Sequence, residues 1–171
     1  MRKAYKDVNV VGNIGKSFAL VALDTKGSSV TVAEVSSFQL ESIEEFHPHI
    51  SAVLNLTPDH LDRHGTFENY ALCKMRIAEN QNSDDKCIIN YDDVYLRGLS
   101  ENIKPEVIYF SRLSKPDKGV YLDGSTIVYS DGDQKTPIMD RNEMNLMGDH
   151  NVENVMAAIG ISIAKGVDID I

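Results

Sequence analysis

A series of short, β-branched apolar runs sets the rhythm of this chain, and several stop at a glycine turn or at a side chain able to do chemistry. Val8-Asn9-Val10-Val11 runs into Gly12-Asn13-Ile14-Gly15, Val30-Thr31-Val32-Ala33 delivers Glu34, and Ile50–Leu56 leads to Asp59-His60. Cys87–Tyr91 and Val107–Phe110 are further runs of the same kind. Apolar runs of this length bounded by turn residues read as buried strands. Between them lie helical stretches: Ser17 to Leu23, Ser36-Ser37 to about Phe46, and 67–80. Ser36-Ser37 suits a helix N-cap, and His47-Pro48 closes that helix, because the residue before proline is steered away from helical geometry. Strands alternating with helices predict an α/β fold with a mostly parallel sheet flanked by helices. In such sheets ligands sit in the crevice outside the carboxyl ends of the strands.

The region from 119 to 139 changes character. Val120-Tyr121-Leu122 and Thr126-Ile127-Val128-Tyr129 flank Asp123-Gly124, a hairpin signal, and Asp131-Gly132-Asp133 marks a second turn. A small antiparallel subsheet is expected there. A last helix follows, with Asn151 as N-cap, an apolar stripe of Val152, Val155, Met156 and Ile159, and Gly166 as its stop.

With 171 residues the chain fits one domain and can bury a real core. Its net charge of −9 argues against a nucleic-acid surface, which carries a basic stripe, although local donors and a cation can still hold a nucleotide's phosphates. Two cysteines, Cys73 and Cys87, make no disulfide framework. No signal peptide is evident and no apolar run approaches the roughly 18 residues of a membrane span, so a cytoplasmic protein is expected.

Asp59-His60-Leu61-Asp62-Arg63-His64-Gly65 is the densest run of reactive side chains. Strand ends that offer Glu34 and Asp59-His60 favour a metal-and-phosphate site over a solvated loop. His60 is either a metal ligand whose ring Asp59 orients, or a loop histidine capping backbone groups. Arg63 meets an anion or pairs with Asp62. At 3.6 residues per turn, Phe67, Tyr70, Ala71, Ile77 and Ala78 share one helix face, and Lys74 falls in its middle. A core-facing lysine is costly unless paired, and burial favours the neutral, nucleophilic amine. Lys74 therefore either snorkels past the stripe or reacts with carbon dioxide to give a carbamate, a metal-binding anion. Gly12–Ser17 ends like a phosphate loop, but that motif needs a glycine where Val10 stands. The turn is a flexible strand-to-helix connection or a substrate-binding turn that uses Asn13.

In order along the chain, Gly12–Gly15, Glu34–Glu41, Leu54–Gly65, Tyr70 to Lys74 with Arg76, and His150–Asn154 resemble the Mur ligases, ATP-dependent amide-forming enzymes of peptidoglycan synthesis. Asn13-Ile14-Gly15 and Ser36–Glu41 are most similar to the branch that adds D-glutamate to UDP-N-acetylmuramoyl-L-alanine. The resemblance implies that residues 1–171 are the central, P-loop NTPase-like domain of a three-domain ligase. Its first strand and phosphate loop, the N-terminal UDP-binding domain and the C-terminal domain would lie outside this sequence, and the chain alone would be inactive.

At matching positions, the resemblance implies that Glu34 and His60 hold Mg²⁺ and that carbamylated Lys74 assists at a second ion, these three carrying the catalysis. Asn13 and Ser36, with Gln39, would face the uridine-linked substrate, while Asn151 and Asn154 would approach the adenine of ATP. Alternatives are a diaminopimelate- or lysine-adding Mur ligase, which typically has histidine where Phe38-Gln39 follows Ser36-Ser37, a folylpolyglutamate synthetase, or a non-catalytic binding module of the same fold.

Overall fold

A computed structural model describes residues 1–169. Its strands fall into two sheets. The first is a parallel pair, β1 (Val8–Gly12) and β2 (Val30–Glu34), joined through α1 (Phe18–Ala22). The second has six strands in chain order: β3 (Ile50–Val53), β4 (Lys86–Asn90), β5 (Glu106–Ser111), β6 (Lys118–Asp123), β7 (Thr126–Asp131) and β8 (Lys135–Asp140). Its helices are α2 (Ser37–Leu40), α3 (Leu61–His64), α4 (Phe67–Met75), α5 (Val94–Ser100) and α6 (Asp149–Ala164). Among the described residues, no helix is long and apolar enough to cross a membrane.

Strands β3 to β6 are parallel, and β7 and β8 continue antiparallel, so the expected antiparallel subsheet extends the main sheet rather than standing apart. A parallel pair usually needs a long crossover, yet only residues 112–117 join β5 to β6. The stagger makes this feasible. Only Tyr109–Ser111 pair with Gly119–Tyr121, so the chain doubles back by about 10 Å. Asp92 pins that turn by accepting from the Ser111 hydroxyl (2.6 Å) and from the Arg112 and Leu113 N–H groups (2.7 and 3.1 Å). Gly124, with φ of 61°, turns the β6–β7 hairpin, and Pro137 sits on the edge strand β8, where a missing donor is tolerated.

Both faces of the main sheet are covered. Cys87 and Ile89 of β4 pack with Tyr70, Ala71, Met75 and Leu96 from α4 and α5. Ile88, between them, points to the other face and joins Ile108, Phe110, Val120, Val152, Met156 and Ala157 beneath α6. Such two-sided cover is why β4 reads as a continuous apolar run. Burial also pushes the Cys87 thiol up to about 11, which keeps it protonated and inert.

Several expected boundaries shift for definable reasons. The helix expected to reach Phe46 stops at Leu40, because later carbonyls are taken by side chains from the segment that follows α4. Arg76 donates to the Glu41 and Ile43 carbonyls (2.6 and 3.0 Å), and Asn80 donates to those of Glu44 and Phe46 (2.8 and 3.1 Å). The strand expected to reach Leu56 ends at Val53, since Asn90 donates to the Leu54 carbonyl and the Leu56 N–H goes to Asp93. The helix expected over 67–80 gives way at Arg76–Ala78 to a 3₁₀ turn. Helix α6 starts at Asp149, after Gly148, so Asn151 is not its N-cap but a first-turn residue.

Phe110 is fully buried and Leu20 is 75% exposed. Phe110→Ala should therefore lower unfolding stability by about 3–5 kcal/mol, while Leu20→Ala stays within about 0.5 kcal/mol, as read by urea denaturation.

Candidate active site

The site begins where β1 and β2 end together. Gly12 pairs with Glu34 in register, and the Asn13 N–H donates to the Glu34 carbonyl at 2.9 Å. Gly12 has φ of 107°, and a Cβ there would collide with that same carbonyl, so the close approach demands glycine. Asn13 and Glu34 are thus brought side by side by backbone pairing. The Glu34 side chain is exposed and, among the described residues, has no hydrogen-bond or ion-pair partner. Gly12, Glu34 and Gln39 line a shallow cleft of about 210 Å³ with Phe18, Ile43 and Phe46.

Ser36 caps α2 as expected, in a reciprocal capping box. Its hydroxyl accepts from the Gln39 N–H at 3.3 Å, and Gln39 Oε1 accepts from the Ser36 N–H at 2.9 Å. The Ser36 hydroxyl and one end of the Gln39 amide are therefore already engaged. The Gln39 Nε2 group is the end that stays outside the box.

Across from α2 lies the loop that carries His60. His60 adopts the left-handed conformation (φ 51°), its N–H donates to Asp59 Oδ1 at 2.8 Å, and its Nε2 lies 3.4 Å from Asp59 Oδ2. The ring is half exposed and packs on Phe38, with centroids 4.8 Å apart. Among the described residues the His60 side chain caps no backbone group at the start of α3; instead Asp59 accepts from the His60 N–H and lies beside its ring. His64 stacks on Phe38, meets Tyr70 edge-on, and reaches the Ser37 hydroxyl through Nε2 at 3.1 Å. Its side chain is only 4% exposed, so it supports the loop from beneath.

Arg63 does not pair with Asp62. Its guanidinium grips both oxygens of Glu41 on α2, at 2.7–3.2 Å. The Arg63 hydrogen bonds, more than its charge alone, hold the Glu41 carboxyl below the usual range. Glu41 was missed from sequence because the pair spans 22 residues. A bidentate arginine lacking an adjacent helical partner was the available signal. Cys73 completes the seam by donating to the Ser37 carbonyl at 3.2 Å, and burial raises its thiol pKa.

Lys74 differs from expectation. The buried residues of α4 are Tyr70, Ala71, Cys73 and Met75, and Lys74 is only partly covered, its Nζ 5.4 Å from the Tyr70 ring centroid. The helix is covered from two sides, by β4 and by α2, which turns Cys73 inward and moves Lys74 to the boundary. A cation over an aromatic face keeps its charge compensated without a carboxylate. Among the described residues no ion pair joins Lys74 to Glu34, and Glu34 and His60 belong to no group of three metal donors within 4.8 Å of one another.

At α6, the Asn151 amide donates to the Met147 carbonyl at 2.7 Å and Asn154 is exposed. Arg112, also missed from sequence, bridges Asp149 (3.3 Å) and Glu153 (3.2 Å) and so ties the start of α6 to the end of β5.

The middle-domain pattern of the Mur ligases matches residues 2–162. The chain belongs to the Mur ligase family. Relatives of this Mur ligase domain include the UDP-N-acetylmuramoylalanine–D-glutamate ligases of Lachnoclostridium phytofermentans (48% identical over 99% of this chain) and Lachnospira eligens (50% over 95%). The chain spans 37% and 36% of the length of those two enzymes. Among solved structures, MurF from Acinetobacter baumannii aligns over 95% of this chain and 43% of its own (TM-score 0.65, 14% identity). Thermotoga maritima MurF in complex with ADP aligns over 95% and 46% (TM-score 0.62, 17% identity). Identities this low establish the shared fold alone, with its mostly parallel sheet, its antiparallel extension and its flanking helices.

The donor chemistry suits the Mg²⁺ that the family implies. Mg²⁺ takes one or two protein ligands and fills its remaining positions with water and phosphate oxygens. The unpartnered, exposed Glu34 carboxylate would be such a hard ligand, and the half-exposed His60 ring would be a second donor.

Phe38 is the shared support of His60 and His64. Phe38→Ala should speed hydrogen exchange of the Arg63, His64 and Gly65 amides roughly tenfold, matching the ~0.5–1.5 kcal/mol of an aromatic contact, while β4 amides stay unchanged. Equal protection in wild type and variant would show that Phe38 does not hold the loop.

Proposed function

We propose that this domain is the ATP-handling centre of a ligase that joins D-glutamate to UDP-N-acetylmuramoyl-L-alanine in the cytoplasm. The observation that carries the reading is 41–50% identity to relatives bearing that name, across nearly the whole chain. Phe38 and Gln39 support it against a diaminopimelate- or lysine-adding enzyme, because both are built into the site: one carries His60 and His64, the other closes the α2 cap.

In this reading Glu34 and His60 hold Mg²⁺, which when bound offsets the crowded negative charge of ATP and orients the γ-phosphoryl group. Lys74, carbamylated by carbon dioxide, adds an anionic ligand at a second ion. Asn13 and Ser36, with the free end of Gln39, face the uridine-linked substrate, and Asn151 and Asn154 approach adenine. The substrate carboxylate attacks the γ-phosphorus, the bond to the bridging oxygen breaks, and ADP leaves behind an acyl phosphate. The amine of D-glutamate then attacks the acyl carbon, expels phosphate and loses a proton.

In this reading the backbone cradle for the β- and γ-phosphates and the remaining domains belong to the rest of the parent ligase, as the 36–37% span of the relatives' length supports. The 171-residue chain alone is accordingly expected to turn over no ATP and to bind it more weakly than micromolar, about −8 kcal/mol.

The test is product analysis of the parent enzyme with D-glutamate, L-lysine and diaminopimelate offered in parallel. Amide formation with D-glutamate alone is expected, and preference for a diamino acid would overturn the assignment. In the same enzyme Lys74→Arg should remove nearly all turnover, because a guanidinium stays cationic and cannot ligate a metal. Near-normal turnover in that variant would assign Lys74 to its cation–π contact with Tyr70 instead.

A further inference from the structure

At the amino ends of β3 and β4, opposite to the end that carries His60, three donors meet in a separate cluster. The parallel register pairs Ile50 with Lys86, and the Lys86 N–H donates to the His49 carbonyl at 3.0 Å. This pairing sets His47-Pro48-His49 beside Asp85. His47 Nε2 lies 2.6 Å from Asp85 Oδ2 and His49 Nδ1 lies 3.2 Å from Oδ1. The three donor atoms fall within 4.8 Å of one another. Proline between the histidines restricts the backbone that presents them.

The charge at this point is incompletely balanced. The Asp85 side chain is 3% exposed and its ion-pair partners are the two histidines, with no lysine or arginine among them. Burial alone would raise its pKa, but the Asn82 N–H at 2.8 Å and the two imidazoles outweigh that and hold it at about 2. A buried carboxylate therefore stays ionised at neutral pH, held by hydrogen bonds and without a permanently charged side chain among its ion-pair partners.

We propose that His47, His49 and Asp85 form a transition-metal site that takes Zn²⁺, Co²⁺ or Ni²⁺. Two imidazoles with one carboxylate suit these ions better than Mg²⁺ or Ca²⁺, whose ligand sets are dominated by oxygen. Two ligands about 2.1 Å from a tetrahedral ion stand roughly 3.4 Å apart, and the three donor atoms, each within 4.8 Å of the others, reach that spacing by small side-chain adjustments. The fourth position falls to water on the open side, where the His49 side chain is 88% exposed. The ion replaces the protons that now bridge the rings to Asp85. Binding links the starts of β3 and β4 and stabilises the fold by mass action.

Glu41, His64 and Cys73 also bring donors within 4.8 Å, but there Glu41 is gripped by Arg63 and the thiol donates to the Ser37 carbonyl. That cluster serves as the control. The untagged, metal-stripped chain should be titrated with Co²⁺ while visible ligand-field bands are recorded, and with Zn²⁺ while the melting temperature is followed. A single equivalent should bind, with ligand-field bands, no thiolate charge-transfer band, and a raised melting temperature. His49→Ala removes an exposed ring, should melt like wild type without metal, and should weaken binding by roughly tenfold or more. Cys73→Ser should bind as wild type does. The site is refuted if millimolar Co²⁺ gives no spectrum, if His49→Ala binds unchanged, or if Cys73→Ser abolishes binding.

Discussion

The fork of Arg63 on Glu41 is the contact on which the candidate active site depends. Among the described residues no hydrogen-bonded ladder joins the β1–β2 pair to the six-stranded sheet, so the placement of Glu34 relative to His60 is not fixed by strand pairing. It is fixed by α2, which follows directly from β2 and is sewn to the segment after β3. Arg63 and His64 reach α2 from the loop, Cys73 and Arg76 reach it from α4 and the turn after it, and Phe38 packs between the two histidines. The Glu41–Arg63 pair is partly exposed and contributes little to global stability. Its value is geometric, because a bidentate pair sets an orientation as well as a distance.

The same economy runs through the rest of the structure. Side chains repeatedly take backbone groups that a longer helix or strand would have used. Arg76 and Asn80 claim the carbonyls after α2, Asn90 and Asp93 end β3, and Asp92 folds the tight return from β5 to β6. Short elements with irregular, side-chain-bonded connections leave the strand ends of the site unencumbered. The apolar bulk that holds them lies elsewhere, on the two faces of β4 under α4, α5 and α6.

Much of this was legible in the sequence, because strand identity rests on local composition. The runs at Val8, Val30, Ile50, Cys87 and Val107 and the Asp123-Gly124 hairpin all declared themselves. The N-cap role of Ser36 was equally local. What the sequence hid is set by distant partners. The early end of α2 depends on Arg76, the true partner of Arg63 is Glu41, and the inward turn of Cys73 in place of Lys74 depends on α2 lying against α4. Helical periodicity assumes one buried face, and α4 is buried on two.

The central proposal is that Glu34, at the end of β2, and His60, at the start of α3, are ligands of the nucleotide-bound metal. Electron spin-echo envelope modulation of Mn²⁺–ADP bound to the parent ligase tests it most directly. The account predicts a nitrogen coupling from directly bound imidazole that disappears in His60→Ala while Mn²⁺–ADP still binds. A nitrogen coupling that survives the His60→Ala change, or none in the wild-type enzyme, would contradict it.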